Sequence, residues 1–246
     1  MYRNVFDQIA NYSSDPDLAL HVPFVPTDDD VVEAMLNLAD VGPDDVLYDL
    51  GSGDGRILVT AARDRNTRGV GIDLDPERIV EAVEFAEASC VEHLVDFIED
   101  DIFTVDFSEA TVVTMYLLQS VNVQLRPLLL SQLRPGTRIV SHAFDMGDWK
   151  PDEWVRLSGG HIFKWIVPAQ ISGVWEWPSP CGRLFRFDLQ QQFQKISGNA
   201  WLGDKKIHWE DAELRGDCLQ IMLRTDARAP VEEFTLQFDQ LSLSEV

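Results

Sequence analysis

The sequence is poor in positive charge. Its 246 residues carry 20 Lys and Arg against 42 Asp and Glu, a formal net charge of −22. Such a chain lacks the basic face that attraction to DNA, RNA or anionic lipid requires. It leaves room for cationic ligands and basic protein partners, and the same charge also serves solubility. Cysteine is scarce as well. Cys90, Cys181 and Cys218 are odd in number and far apart, so they form neither a disulfide framework nor a CxxC pair, which points to a reducing cytoplasm. The five histidines show no HxH or HExxH spacing, and no metal site is expected. Long apolar runs are missing too. No stretch approaches the ~20 residues of a membrane span, and the N-terminal MYRNVFDQIANYSSDPD holds no signal-peptide core.

What is present suits a globular fold. Hydrophobic residues make up 45% of the chain, and a chain of this length buries a core without disulfides or metal. The charge is uneven: residues 1–168 hold 30 acidic and 12 basic side chains, and residues 169–246 hold 12 and 8. The first part alternates short apolar runs with helical patterns. Strands are expected at VLYDL (46–50), GVGIDL (69–74), VDFIEDD (95–101), ATVVTMYLL (110–118) and TRIVSHAF (137–144). Helical spacing follows in ILVTAARD, in PERIVEAVEFAEAS, where Pro76 suits the first turn and Ile79, Val83 and Ala86 share a face, and in VNVQLRPLLLSQL, where Pro127 must kink the helix or lie in its first turn. This alternation predicts an α/β fold, a doubly wound Rossmann-like parallel sheet covered on both faces. The last part differs. LFRFDL and EFTLQFD alternate strictly, with turn signals at Ser197-Gly198-Asn199, Gly203-Asp204 and Gly216-Asp217. A small all-β antiparallel domain of five to seven strands is expected over 169–246, as a sandwich, a partial barrel or a sheet packed on the first domain. Residues 25–168 then form the ligand-binding domain and 1–24 an N-terminal segment. Trp165, Trp175, Trp177, Trp201 and Trp209 gather in or beside the tail, as its core, as a seam between domains or as a ligand face.

The most informative segment is Asp49-Leu50-Gly51-Ser52-Gly53-Asp54-Gly55-Arg56, between a predicted strand and a predicted helix. A glycine turn there lets a ligand approach the backbone and the helix N–H groups. Asp73 ends the next strand, where a carboxylate can accept both hydroxyls of a ribose. Together they indicate a nucleoside ligand at the switch point of a doubly wound sheet. The loop is GxGxG rather than the dinucleotide GxGxxG, and Asp49 and Asp54 would repel a pyrophosphate. S-adenosylmethionine has no phosphate and carries an ammonium and a sulfonium, so the same carboxylates favour it.

These residues resemble the class I S-adenosylmethionine-dependent methyltransferases. Residues 22–168 are similar to the branch of the mitochondrial lysine methyltransferases that act on the ATP synthase c-ring protein and the adenine nucleotide translocase, and to their bacterial relatives. The matching pieces are Val22-Pro23-Phe24-Val25-Pro26-Thr27, DLGSGDGRI (49–57), GVGIDLDP (69–76), Asp100-Asp101, TVVTMYLL (111–118) and RPGTRIVSH (134–142). The resemblance implies that Asp49 and Gly51 contact the methionine end, that Ser52 and Gly53 of the same loop also bind the cofactor, that Asp73 holds the ribose and that Asp101 reaches the adenine amine. It implies that Thr27 closes over the cofactor and that Tyr116 stands near the transferable methyl. Thr27, followed by Asp28-Asp29-Asp30, also reads as a helix N-cap. Two departures stand out: Thr114-Met115-Tyr116-Leu117 replaces the Asn/Asp-Pro-Pro-Tyr segment of many amine methyltransferases, and the β tail is absent from the mitochondrial enzymes.

Methyl transfer is an in-line displacement on an already activated cofactor, so the protein mainly aligns the nucleophile. An amine or phenol must also lose its proton or bind neutral. Tyr116, His142 and Asp145 are the candidates at the ends of the fourth and fifth strands, His142 as a base of near-neutral pKa or as a structural strand histidine. The expectation is a cytoplasmic methyltransferase acting on lysine in a protein. The alternatives are a small-molecule N-, O- or S-methyltransferase roofed by the tail, a non-catalytic S-adenosylmethionine-binding module and an aminopropyl-transferring enzyme of the same fold.

Overall fold

The computed structural model describes residues 25–158, 160–239 and 242–245. The expected segment 1–24, with the Val22-Pro23-Phe24 piece, lies outside them. The described residues divide into two compact units, one made of those up to 133 and within 138–165, the other of 134–137 and those from 166 onward.

The first unit is the expected α/β sheet. Its elements are α1 (Asp29–Leu38), β1 (Val46–Leu50), α2 (Arg56–Arg65), β2 (Arg68–Asp73), α3 (Pro76–Ala88), β3 (Val95–Glu99), β4 (Val112–Met115), α4 (Gln119–Gln132), β5 (Arg138–His142), β6 (Glu153–Leu157) and β7 (Gly160–Ile166). The strand order is β3-β2-β1-β4-β5-β7-β6. β1 pairs in parallel with β2 and β4, β2 with β3, and β4 with β5, while β6 and β7 form an antiparallel hairpin. The chain runs outward from β1 to β3 and then returns to lay β4 on the other side of β1. The carboxyl ends of β1 and β4 therefore flank the switch point where ligands bind in such sheets.

Local sequence explains the elements. β1 and β4 are apolar and almost wholly buried, as inner parallel strands should be. Val31, Val32, Met35 and Leu36 of α1 pack with Leu58 and Val59 of α2 and with Leu47, Val112 and Val140 of the sheet in one core. α3 opens on Pro76, with Asp75 as N-cap accepting from Glu77 N–H at 2.9 Å. The buried face of α3 is not the predicted Ile79-Val83-Ala86. Ala82 and Ala86 are its buried residues and Val83 is exposed. The reason is close approach: Ala82 Cβ lies 3.0 Å from where a side chain on Gly55 would begin, and the Phe97 ring lies at 2.6 Å. Only small residues allow the glycine loop, α3 and β3 to meet there. Pro127 sits inside α4, beyond its first turn. β4 is shorter than the apolar run that foretold it, because the chain leaves the sheet at Tyr116.

The second unit is an antiparallel sheet of seven strands in sequence order, β8 (Gly173–Pro178), β9 (Leu184–Gln192), β10 (Lys195–Leu202), β11 (Lys205–Arg215), β12 (Cys218–Arg224), β13 (Glu232–Asp239) and β14 (Ser242–Glu245). β14 returns to touch β8, so the sheet curls into a half-barrel. Phe185, Phe187 and Leu189 on β9 and Phe234, Leu236 and Phe238 on β13 all point inward, as their alternation predicted. Trp177 is buried among them, 5.2 Å from the rings of Phe185 and Phe234, with Trp175 and Trp209 at the edge of the same core. Trp201 lies half-buried under the Arg186 guanidinium, 4.6 Å from its ring centre. Trp165 belongs to the first unit, where it packs on Trp149.

Candidate active site

β1 ends by carrying Asp49 into the protein interior, where its side chain is cut off from water and the residue is 2% exposed. Among the described residues its one side-chain donor is the hydroxyl of Thr114 on β4, at 2.8 Å. Burial pushes the Asp49 carboxyl up to about 7, against the pull of the Thr114 bond and with further upward pressure from Asp73 and Asp54. Such a group is ionised most readily beside a cation.

The loop then turns on glycines. Gly51 has a left-handed φ of 79°, and a Cβ there would lie 2.7 Å from Leu117 Cδ2 beyond the end of β4. The N–H groups of Gly51 and Ser52 donate to the Ile72 carbonyl of β2. The Gly53 N–H donates to Asp73 Oδ2 at 2.8 Å, and Asp75 N–H to Asp73 Oδ1 at 3.0 Å. Each Asp73 oxygen keeps lone-pair capacity for a further donor. Ser52 Oγ is buried without a hydrogen-bond partner among the described residues, and buried hydroxyls are seldom left so. Asp101, beyond the end of β3, accepts the Phe103 N–H on Oδ1 at 2.9 Å.

A second cluster stands across the switch point. The Tyr116 ring lies 4.1 Å from the His142 ring and 6.4 Å from that of Phe144, measured between centres. His142 is buried at the end of β5. Burial, and then the charge of Asp28, raise the Tyr116 phenol above its usual value. Asp145 is tied into its loop, its Oδ1 accepting from Gln119 Nε2 at 2.5 Å and Gly147 N–H at 2.9 Å. Among the described residues no group of His, Cys, Asp and Glu gathers as a metal site, and no helix is long and apolar enough to cross a membrane.

Two expectations need correction. Thr27 is not the N-cap of α1. Asp28 holds that position, without a side-chain cap bond, because Thr27 is buried and its carbonyl accepts Arg56 Nη1 at 2.8 Å. Asp54 is not a bare charge beside the ligand. Arg56 grips it through Nε at 2.9 Å and Nη2 at 2.5 Å, so the acidic character of the loop rests on Asp49 and Asp73. Arg56 was the residue that sequence reasoning missed. Its signal was a cation in the first turn of α2, where a helix dipole disfavours positive charge, two places after an aspartate. Thr114 carried a weaker signal, a hydroxyl inside an apolar strand.

These residues fit S-adenosylmethionine. Among the described residues Asp49 has no cation paired with it and Ser52 Oγ has no partner, and Asp73 retains acceptor capacity for hydroxyls. The comparisons with known proteins agree. Residues 49–153 match the ANTKMT methyltransferase domain. The chain is 48% identical over 143 residues to a protein-lysine N-methyltransferase of Saccharolobus islandicus (strain REY15A), which covers 58% of this chain and 89% of that protein. It is 31% identical over 134 residues to the adenine nucleotide translocase lysine N-methyltransferase of Mus musculus, covering 54% of this chain and 58% of that one. The chain thus spans somewhat over half the length of that mouse protein. A crystal structure described as an RNA methyltransferase from Salinibacter ruber, in complex with S-adenosyl-L-homocysteine, matches with 55% identity and a TM-score of 0.59, over 60% of this chain and 96% of that one. With the glycine loop, Asp73 and the β3-β2-β1-β4-β5-β7-β6 sheet in place, the chain belongs to the ANTKMT methyltransferase family, and it is an S-adenosylmethionine-dependent methyltransferase.

Proposed function

We propose that this enzyme methylates the side-chain amine of lysine in a protein. The observation that carries this reading is the 48% identity to a protein-lysine N-methyltransferase across 89% of that relative's length. The acidic chain suits a basic acceptor. Asp49, Gly51, Ser52 and Gly53 would hold the amino-acid end of the cofactor, Asp73 its ribose and Asp101 its adenine amine, with Thr27 beside the loop. When bound, the cofactor supplies an activated methyl group. The chain's own residues then have two tasks. They must seat the lysine nitrogen in line with that methyl, which can lower the barrier by ~7–11 kcal/mol, and they must let the nitrogen lose its proton. Tyr116 and His142 would share these tasks: ring faces attract an ammonium group, and a histidine can take its proton near neutral pH. In the same reading, residues 25–168 form the catalytic domain, residues 169–246 form a separate β domain, and the protein works in the cytoplasm.

The Salinibacter structure favours a second reading, an RNA acceptor. The net charge of −22 weighs against it, since RNA binding draws most of its affinity from phosphate contacts. The test uses tritiated S-adenosylmethionine, the purified protein and a heat-treated lysate of its source cells, split by a size filter. The proposal expects macromolecular label that protease removes and ribonuclease leaves, with methyl-lysine in the acid hydrolysate. Label removed by ribonuclease would replace it with the RNA reading. Label in the filtrate would replace it with a small-molecule acceptor.

A further inference from the structure

We propose that Asn122 is a positioning residue for methyl transfer, whose side-chain amide clasps a strained turn at Ala143 and so fixes His142 and Phe144 against Tyr116. The proposal rests on the reading of that ring cluster as the seat of the acceptor. The chain leaves β5 through a γ-turn: Phe144 N–H donates to the His142 carbonyl at 2.8 Å, and Ala143 between them has φ +65°. A γ-turn with a positive φ at its centre is a rare and strained form, and a non-glycine residue held there needs its surroundings to enforce it.

The Ala143 N–H donates to the His161 carbonyl of β7 at 2.7 Å, and the side-chain groups that hold the turn come from one face of α4. Gln119, Asn122 and Arg126 follow at spacings of three and four, so they share a face, and each takes a different rung of the 141–148 loop. Gln119 Nε2 donates to Asp145 Oδ1 at 2.5 Å. Arg126 Nη1 donates to the Met146 carbonyl at 2.8 Å and pairs with Asp148. Asn122 takes the central rung, donating through Nδ2 to Phe144 O at 3.1 Å and to Ser141 Oγ at 3.2 Å. Ser141 Oγ in turn donates to Phe144 O at 2.8 Å. The amide therefore closes the chain on both sides of His142 and Ala143. The Phe144 carbonyl only accepts, so it fixes which end of the amide faces the turn. Asn122 is wholly buried, and its Oδ1 has no partner among the described residues. An apolar side chain of similar size would satisfy packing alone without stranding that oxygen. A role in holding the turn accounts for the amide. Gly160 on β7 lies beside the same ring, its Cβ position 3.8 Å from His142 Nε2. The imidazole is thus bracketed by Tyr116, the turn and β7.

The test compares the full-length wild type with Asn122→Leu and with Asn122→Leu combined with Ala143→Gly. Glycine adopts the left-handed turn without strain, so the second change should make the clasp dispensable. The first readout needs no acceptor: NMR of histidine-labelled protein saturated with S-adenosylhomocysteine, the His142 signal being assigned by its loss in His142→Gln. The ring current of Tyr116 should set that signal apart from an exposed histidine. It should move toward the exposed position in Asn122→Leu and return in the double variant. The second readout is turnover of poly-L-lysine with tritiated S-adenosylmethionine. There kcat should fall roughly tenfold or more in Asn122→Leu, since a misplacement of about 1 Å can cost ~10²-fold. Cofactor affinity and KM should stay within about threefold, and the double variant should recover most of kcat. An unmoved His142 signal in folded Asn122→Leu, or a loss that Ala143→Gly does not repair, overturns the proposal. Ser141→Ala removes the middle of the clasp without touching α4. It should shift His142 in the same direction, and an unmoved signal there overturns the proposal even if Asn122→Leu fails to fold. A moved signal with no turnover of any lysine acceptor would count against the acceptor reading and leave the clasp standing.

Discussion

Replacing Asp49 with Asn should make the ligand-free protein more stable and its cofactor site worse. The carboxyl is buried with a single hydroxyl donor, and its pKa moves from 3.8 to about 7. The unfolded chain ionises this group from about pH 4, whereas the folded protein keeps it protonated until about pH 7. Between those values the folded state holds the extra proton, so the Asp49 contribution to stability falls as pH rises and levels off above about 7. At about 1.4 kcal/mol per tenfold step in acidity, the cost reaches up to about 4 kcal/mol at pH 8. Asn escapes this cost, and its carbonyl still accepts from Thr114. Thermal unfolding of ligand-free Asp49→Asn should therefore show a Tm gain at pH 8 of up to roughly 8–16 °C, at about 2–4 °C per kcal/mol for a domain of this size, and little or no gain at pH 4. Calorimetric titration with S-adenosylmethionine should show the opposite sign. Losing a charged partner for the ammonium is worth ~1.5–3 kcal/mol, roughly a tenfold to hundredfold weaker Kd. The reasoning is refuted if Asp49→Asn melts no higher than wild type at pH 8, or if its gain is the same at pH 4 and pH 8.

With Asp49 placed beside the ligand's ammonium, as proposed, the same carboxyl should make cofactor affinity pH-dependent. Binding of S-adenosylmethionine should strengthen by up to about tenfold per pH step from about 5 to 7 as Asp49 ionises, then weaken above about 8 as the ligand's amino group, with an ordinary pKa of about 7.7–8.0, loses its charge; a flat titration between pH 5 and 7 would contradict the placement of Asp49. Asp73→Ala should weaken cofactor binding at least about tenfold in calorimetry. Asp73→Asn, which keeps one oxygen for the Gly53 or Asp75 N–H, should lose less, and equal losses would deny the loop bonds any part. Gly51→Ala forces a Cβ into a left-handed position 2.7 Å from Leu117. It should lower stability by about 2–3 kcal/mol from backbone strain and repacking, read as a fall in Tm, and an unchanged Tm would refute that account.

The sequence made β1, the glycine loop and β9 readable because each obeys a single rule. β1 is an apolar run closed by glycine, and β9 alternates without interruption. Elements that answer to two demands were harder to read. The β6–β7 hairpin mixes Trp154, Arg156, His161 and Lys164 with apolar residues, and its strands are only partly buried, so neither period dominates. β11 buries both Ile207 and Leu214, seven places apart, which strict alternation forbids. A register shift between Trp209 and Asp211 restores the inward phase, as a β-bulge does. In α3 the larger Val83 suggested a face that Ala82 occupies, because helix approach rather than side-chain size decided the contact. At the site, the loop and Asp73 announce themselves by spacing. Arg56 and Asn122 act on groups 29 and 22 positions away, and no local pattern shows such pairings.

The arrangement of strands has an engineering consequence. The glycine loop leaves from β1, whereas the ring cluster and its clasp come from β4, α4 and β5, and the two halves meet along the pairing of β1 with β4, from Leu47 beside Val112 to Leu50 beside Met115. In the proposed reading the glycine loop serves the methyl donor, and the loops after β4 and β5 serve whatever receives the methyl. The segments 116–122 and 141–148 are therefore a graftable cassette. They can be exchanged together with those of a relative while the donor half keeps its sequence, provided both partners of the Asn122 clasp travel as one piece.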